Sequence, residues 1–309
     1  MILKGIFSHK IMTFDNNNHV SRRAFIRNII LLGTGLIPGF SFIEGRRELD
    51  KTELTYHNIK TDKLRKNIKI VHLSDLHLEK GSTRENTIAM VNNLKPDLIL
   101  MTGDYTNSNY GHIVNLTVLK DYVNNLRAEH GIYATFGNWD IGHETKLFVG
   151  TDVRPIRDSH LEISLGQDII NLIGLDYYKG DTFTRYKTDK IFRGINSDNY
   201  NIFLYHTPDL IEEISPSGNI DLYLSGHTHG GQIRIPFLRY FTNGLEGEFP
   251  YSGAIITFST FGTKYQSGIF TVGQTKLFVS RGIGVGPILP IRIFCKPEIG
   301  VFTIGPDVV

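Results

Sequence analysis

The 309-residue chain has a single cysteine, Cys295, so an internal disulfide is excluded and the thiol reads as a small buried hydrophobe. It also lacks an excess of either charge: 33 Lys and Arg stand against 31 Asp and Glu, a net charge of +2. No broad basic patch and no interleaving of aromatics with basic runs argues for nucleic acid as a partner. No apolar run reads as a membrane span, because the segment from Ile29 to Ile43 is short and broken by Gly33, Gly35, Pro38 and Gly39. There is no internal repeat and no domain break after residue 50. What is present is 40% hydrophobic residues and 31 glycines, the composition of a globular, loop-rich body with a core.

The N-terminal part reads differently from the rest. Ser21-Arg22-Arg23-Ala24-Phe25-Ile26-Arg27 precedes the broken apolar run, and a basic stretch followed by a modest apolar one is the pattern of an export signal. The heptapeptide resembles the twin-arginine signal, with the paired arginines and the Phe in their usual places. The other reading is a basic amphipathic anchor. Residues 1–47 are therefore expected to be a signal or a membrane anchor and residues 48–309 the functional domain. The resemblance implies export in the folded state to the periplasm or cell envelope, with the membrane surface as a neighbour if the segment is retained.

From Ile68 onward, strand-like and helix-like stretches alternate. Ile68-Leu73, Asp97-Met101 and Ile132-Phe136 are short apolar runs of strand length. Between them, residues about 84–94 and 114–128 carry helical periodicity, with Leu116, Leu119, Val123 and Leu126 on one face of the second. That order implies parallel pairing. The second half offers further strands at Leu161-Ser164, Ile169-Leu175, Asn201-Tyr205, Asp221-Leu224, Lys276-Val279 and Gly300-Ile304.

Each apolar run is followed by oxygen or nitrogen donors. Asp75 and His77 follow the first, Asp104 the second, Asn138 the third, His206 a later one, and His227 and His229 the Asp221-Leu224 run. Turns favour Asp and Asn, so one such residue means little. Seven donors at five strand ends point to a shared site, since ligands gather at the carboxyl ends of strands in α/β folds. His227 and His229 lie at i and i+2 in the Gly-rich Ser225-Gly226-His227-Thr228-His229-Gly230-Gly231-Gln232 and face the same way if extended. A set of nitrogens and oxygens without thiolate suits Zn, Mn, Fe or a mixed pair.

Asp-x-His, Gly-Asp, Gly-Asn-x-Asp, a lone His and Gly-His-x-His, in that order over residues 68–304, resemble the calcineurin-like metallophosphoesterases. The later Ser280-Arg281-Gly282-Ile283-Gly284 is similar to an exported bacterial branch, which includes enzymes that cleave UDP-2,3-diacylglucosamine. The resemblance implies an α/β fold, a two-sheet β-sandwich flanked by helices, and two divalent metal ions. Carried over, Asp75, His77 and His229 hold the first ion, Asn138, His206 and His227 the second, and Asp104 bridges them. It also implies hydrolysis of a phosphodiester, phosphomonoester or pyrophosphate by a metal-bound hydroxide, on a small-molecule or lipid-linked substrate. The alternatives are a UDP-2,3-diacylglucosamine pyrophosphatase and a metal-bound scaffold without turnover.

One position departs from the pattern. The family usually has His after the Asn, as the acid that protonates the leaving oxygen; here Trp139 follows Asn138. An indole N–H donates a hydrogen bond but is no useful acid. Either the substrate carries a leaving group that needs little protonation, or another group such as His143 or His206 supplies the proton. Asp140, which in the family orients that His, is expected to hold the indole or a neighbour. Of the remaining signals, His72 reads as a satisfied core histidine, and His57, His112, His130 and His160 as exposed loop residues. Tyr105 either touches substrate or fills its loop. Arg281 and Arg292 either bind a second phosphate or sit at the surface, and the aromatic stretch 236–270 forms hairpins or a substrate lip.

Overall fold

The computed structural model describes residues 48–78, 85–107, 116–177, 190–192, 194–217, 219–234, 264–286 and 290–308. The signal-like segment 1–47, His112 and most of the aromatic stretch, residues 235–263, lie outside the described residues.

Among the described residues, two six-stranded mixed sheets pack face to face. Strands are numbered in chain order. The first sheet runs β1 (Glu53–Lys60), β12 (Glu298–Gly305), β2 (Ile68–Leu73), β3 (Leu98–Thr102), β4 (Ile132–Thr135), β5 (Val153–Pro155). In it β2, β3, β4 and β5 are mutually parallel. The second runs β10 (Gly268–Val272), β11 (Thr275–Val279), β9 (Leu222–Ser225), β8 (Tyr200–Leu204), β7 (Asp168–Gly174), β6 (Ser159–Leu165). There β11, β9, β8 and β7 are parallel. Helices α1 (Glu85–Leu94), α2 (Thr117–Asn124) and the one-turn α3 (Glu144–Leu147) belong with the first sheet, and the one-turn α4 (Ile211–Ile214) with the second.

The apolar runs are continuous because both faces of each sheet are covered. Side chains alternate between faces, so every second residue goes to a different core. Ile70 and Leu100 join Ile202, Leu222, Leu224 and Phe302 between the sheets. Their neighbours Val71, Leu73, Ile99 and Met101 face outward against Val91 of α1 and Leu119, Tyr122 and Val123 of α2. Phe203 and Tyr223 do the same on the other side, against Ile211 and Ile214 of α4. The α/β two-sheet sandwich flanked by helices is the architecture expected from the resemblance. Parallel strands of both sheets therefore open their carboxyl ends toward one set of loops.

The structure departs from the sequence reading in three places. Strands β1 and β5 were not expected, whereas β10, which begins within the stretch expected to form hairpins or a lip, pairs antiparallel with β11. β1 is an edge strand with polar residues at most positions and only Ile59 buried, so it lacks an apolar run. Helix α2 ends at Asn124, because Asn125 and Leu126 turn back onto Tyr122 and Val123 through i to i−3 hydrogen bonds; Leu126 is buried all the same. His57 and His160 are strand residues, in β1 and β6. His57 is half-buried, its ring stacked on Phe302 at 5.1 Å and tilted against Phe278 at 4.9 Å. His72 is a buried core histidine, as expected, but only half satisfied: Nε2 is 2.8 Å from Thr102 Oγ1, and Nδ1 is buried without a partner among the described residues.

Leu224 is fully buried between the sheets, in the strand that leads into the Gly-His-x-His loop. Leu224→Ala is expected to cost ~2–5 kcal/mol of unfolding free energy in urea titrations. A loss below ~1 kcal/mol would mean that this core is not packed as described.

Candidate metal centre

The loops after β2, β3, β4, β8 and β9 bring the sequence-selected donors together. Asp75, His77 and His229 form one group, and Asp104, His206 and His227 a second; within each, the ligand-type atoms lie within 4.8 Å of one another. In the first, His77 Nε2 is 3.1 Å from His229 Nε2, which in turn is 3.4 Å from Asp75 Oδ1. In the second, His227 Nδ1 is 3.1 Å from His206 Nε2. Asp104 Oδ2 lies between the groups, 3.2 Å from His206 Nε2 and 3.8 Å from His77 Nε2.

Bringing side chains from separate strands to one point bends the backbone hard. Asp75, His77, Asp104, His227 and His229 all have positive φ, between 44° and 68°. Non-glycine residues seldom adopt that region, and each such residue costs on the order of 1–3 kcal/mol. Strain of this kind concentrates where function requires it. Close approach does the rest: a Cβ on Gly226 would fall 1.9 Å from Ser74 Oγ and 2.2 Å from Asp75 Oδ2, so only glycine fits there.

Polar partners orient the donors. His206 donates its Nδ1–H to the Thr102 carbonyl at 2.7 Å, and His77 donates its Nδ1–H to Asn107 Oδ1 at 2.8 Å. In both rings Nε2 is thereby turned toward the cluster, the usual arrangement for an imidazole that ligates a metal. Asp75 accepts from Ser74 Oγ at 2.7 Å and from the His227 backbone N–H at 3.0 Å. Asp140 does not hold the indole. It is fully buried and accepts the backbone N–H groups of Asp104 and Gly137 at 2.8 Å and of Tyr105 at 3.0 Å, tying the Asp104 loop to the Asn138 loop. Its role is that of a clamp on these loops.

The electrostatics fit cations. Burial pushes His77 down to about 4, against the pull of Asp104, and takes His229 well below its ordinary value, so both present neutral rings. Burial also opposes a charge on His206, but Asp104 and Asp75 outweigh it and raise its pKa to about 9. Burial raises Asp75 to about 6, whereas Asp104 is held down to about 2, despite burial, chiefly by His206. Two buried carboxylates among imidazoles need positive partners, and buried charges are as a rule paired or bound to metal. Asn138 adds an independent sign: its Oδ1 is buried without a hydrogen-bond partner among the described residues. The Asn138 loop lies beside Asp104, whose Oδ1 accepts the Trp139 backbone N–H at 2.8 Å. An orphaned amide oxygen next to nitrogens and carboxylates is the donor set of a hard or borderline divalent cation.

Other sequence candidates fall into structural roles. Tyr105 is fully buried and bonds Thr135 O and Gly103 N, so it fills its loop. Arg281 pairs with Glu53 and Glu298. Arg292 is neither at the surface nor open to a phosphate: it is fully buried and donates to the carbonyls of Gly284, Arg281, Gly282, His229 and Cys295. Cys295 is buried, as expected, with its Sγ 3.3 Å from the His229 carbonyl. His143 has no described contact with either cluster, and its Nε2 is buried without a described partner. In the part of the aromatic stretch that is described, Tyr265 donates to Glu212 at 2.6 Å and packs on Phe270 at 5.2 Å. Sequence reasoning missed Asn107 and the buried position of Arg292, because neither belongs to a motif whose spacing reveals its partner.

Arg292→Leu strands the carbonyls that its guanidinium satisfies. A loss of at least ~3 kcal/mol in urea unfolding is expected, with Arg292→Lys intermediate, since an ammonium lacks the planar fork. A leucine variant within ~1 kcal/mol of wild type would refute this role.

Comparison with known proteins agrees with the geometry. Residues 68–231 match the family model for calcineurin-like phosphoesterase. The chain is 32% identical to the uncharacterized metallophosphoesterase YkuE of Bacillus subtilis (strain 168), over 92% of this chain and 98% of that one. It is 27% identical to the phosphodiesterase YaeI of Escherichia coli (strain K12), over 75% of this chain and 80% of that one. It is 26% identical to the UDP-2,3-diacylglucosamine pyrophosphatase LpxG of Chlamydia muridarum (strain MoPn / Nigg), over 75% and 82%. The chain belongs to the calcineurin-like phosphoesterase family and is a hydrolase of phosphoric esters.

Proposed function

We propose that the protein is a binuclear, divalent-metal-dependent phosphoesterase. In this reading Asp75, His77 and His229 hold one cation, Asn138, His206 and His227 a second, and Asp104 contributes to both. The observation that carries it is Asp104 Oδ2, which stands within 3.2 Å and 3.8 Å of an imidazole nitrogen of each cluster. Divalent cations bound there supply Lewis-acid stabilisation of phosphoryl oxygens and acidify a water molecule near neutral pH. The protein's part is to hold the donors: the Thr102 carbonyl and Asn107 set the ring orientations, and Asp140 keeps the two loops in register.

At the position where the family usually carries the acid for the leaving oxygen, this chain has Trp139, edge-on to His77. General acid catalysis is typically worth ~10²–10⁴-fold, so the best substrates are those whose leaving group departs without a proton, pyrophosphates and aryl esters. The likeness to LpxG supports a pyrophosphate on a lipid-linked nucleotide as the second reading. The two readings differ over location. The twin-arginine-like segment supports export, whereas a nucleotide-linked lipid precursor belongs to the cytosol. A reporter fused to residues 1–47 is expected to cross the membrane only when the twin-arginine route works; a reporter retained in the cytosol would favour the pyrophosphatase. A scaffold without turnover is disfavoured because every donor position is filled.

The full chain is expected to hydrolyse bis(4-nitrophenyl) phosphate with Mn or Zn, to lose activity on chelation and to regain it when metal returns. Asp104→Ala should lower turnover by ~10³-fold or more and bind fewer metal equivalents, as counted by elemental analysis. A variant as active as wild type, or indifference to chelation, would defeat this proposal.

A further inference from the structure

The two donor clusters are each flanked by an aromatic ring that the metal-binding reading does not use. Trp139, the only tryptophan in the chain, stands edge-on to His77 of the first cluster, with centroids 5.8 Å apart and planes at 81°. Its position is set by the carboxylate that joins the clusters, because its backbone N–H donates to Asp104 Oδ1 at 2.8 Å. Tyr177 serves the second cluster. Its ring lies nearly parallel to that of His227, at 6.3 Å and 28°, and edge-on to His206, at 6.2 Å and 87°. Its backbone N–H donates to the Phe136 carbonyl at 3.1 Å, and its ring stacks on Tyr205 at 6.4 Å and 15°.

Both rings are half-exposed, whereas Asp75, His77, Asp104, His206 and His229 are buried. The rings are thus more accessible to a ligand than the buried donors they adjoin. Both rings are already ordered by their contacts, so a ligand that stacks on them loses little to ordering. Stacking of aromatic rings depends on a planar partner and adds to simple apolar burial. An indole N–H can also donate a hydrogen bond but gives up no proton, which suits a leaving group that spreads its charge over a ring.

We infer that Trp139 and Tyr177 form an aromatic subsite that determines specificity, holding a planar ring carried by the phosphoester substrate beside the two donor clusters. This deepens the proposed function and rests on its placing the phosphoryl group at the clusters. The ring could be an aryl group or a nucleobase, which share a flat π face and differ in their distance from phosphorus.

The test uses the metal-loaded full chain and non-hydrolysable ligands, with the emission of its single tryptophan as a direct reporter. Phenylphosphonate is expected to change Trp139 emission and to bind roughly tenfold more tightly than cyclohexylphosphonate, which has similar bulk but no flat face. A uridine phosphonate against the matching ribose phosphonate repeats the comparison with the ring further from phosphorus. Preference for the ring in the first pair identifies an aryl ligand, and preference in the second a nucleobase. Tyr177→Leu should remove most of the preference while leaving cyclohexylphosphonate affinity within twofold. Trp139→Leu should do the same by calorimetry, and Trp139→Phe should restore part of it. Equal affinities in both pairs, no emission change on saturation, or no binding of any phosphonate would each overturn the subsite. The hydrolase reading stands or falls separately, on the turnover and metal content of Asp104→Ala.

Discussion

Asp75, His77, Asp104, His227 and His229 reach their common site only because their backbones turn into the left-handed region, with φ between 44° and 68°. Bends of this sort in non-glycine residues are unfavourable and persist only where the surroundings leave no alternative. Here the surroundings are two sheets with three apolar layers, whose parallel strands deliver the loops from both sides. The donors' convergence, their burial and their shifted proton affinities all follow from this constraint. A fold without so much buried surface behind the loops would relax the strain and scatter the donors.

The loops are held by polar links made mostly to backbone groups, although Arg292 Nη2 also comes within 3.4 Å of His229 Nδ1. Asp140 gathers backbone N–H groups from the Asp104 and Asn138 loops, and Arg292 gathers carbonyls from the His229 loop and the Gly282–Gly284 segment. One side chain is an acceptor of amides, the other a donor to carbonyls, and both are fully buried. Buried ionisable groups are expensive unless their hydrogen-bonding capacity is met, and backbone dipoles meet it here in both cases. The two residues resemble catalytic groups in a sequence and act as the fasteners of the site.

The two clusters and the aromatic rings that adjoin them divide the work of recognition. Nitrogens and carboxylates suit divalent cations and, through them, the phosphoryl group, which every phosphoester has in common. Trp139 and Tyr177 can only recognise what is attached to it. In this arrangement the chemistry is general to the family, and selectivity lies with half-exposed rings outside the strained loops.

The apolar runs and the donors after them were enough to identify the strands that carry the site, since a buried parallel strand leaves a continuous hydrophobic signature and its carboxyl end is where a ligand sits. The family resemblance that the motif order carries implied the sandwich, and it implied a division of donors that the groups Asp75, His77, His229 and Asp104, His206, His227 resemble. Edge strands such as β1 were not legible, because a half-exposed strand of polar residues has no distinctive pattern. Nor were the partners of Asp140, Tyr105 and Arg292, for residue type alone does not say whether a charged side chain meets a ligand or the backbone. Local sequence determined which residues can bind a cation. Tertiary packing decided which of them face one another, which ring orientations are held, and that Trp139 and Tyr177, 38 positions apart in the chain, flank one site. Those facts depend on contacts between separate loops, about which spacing along the chain carries no information.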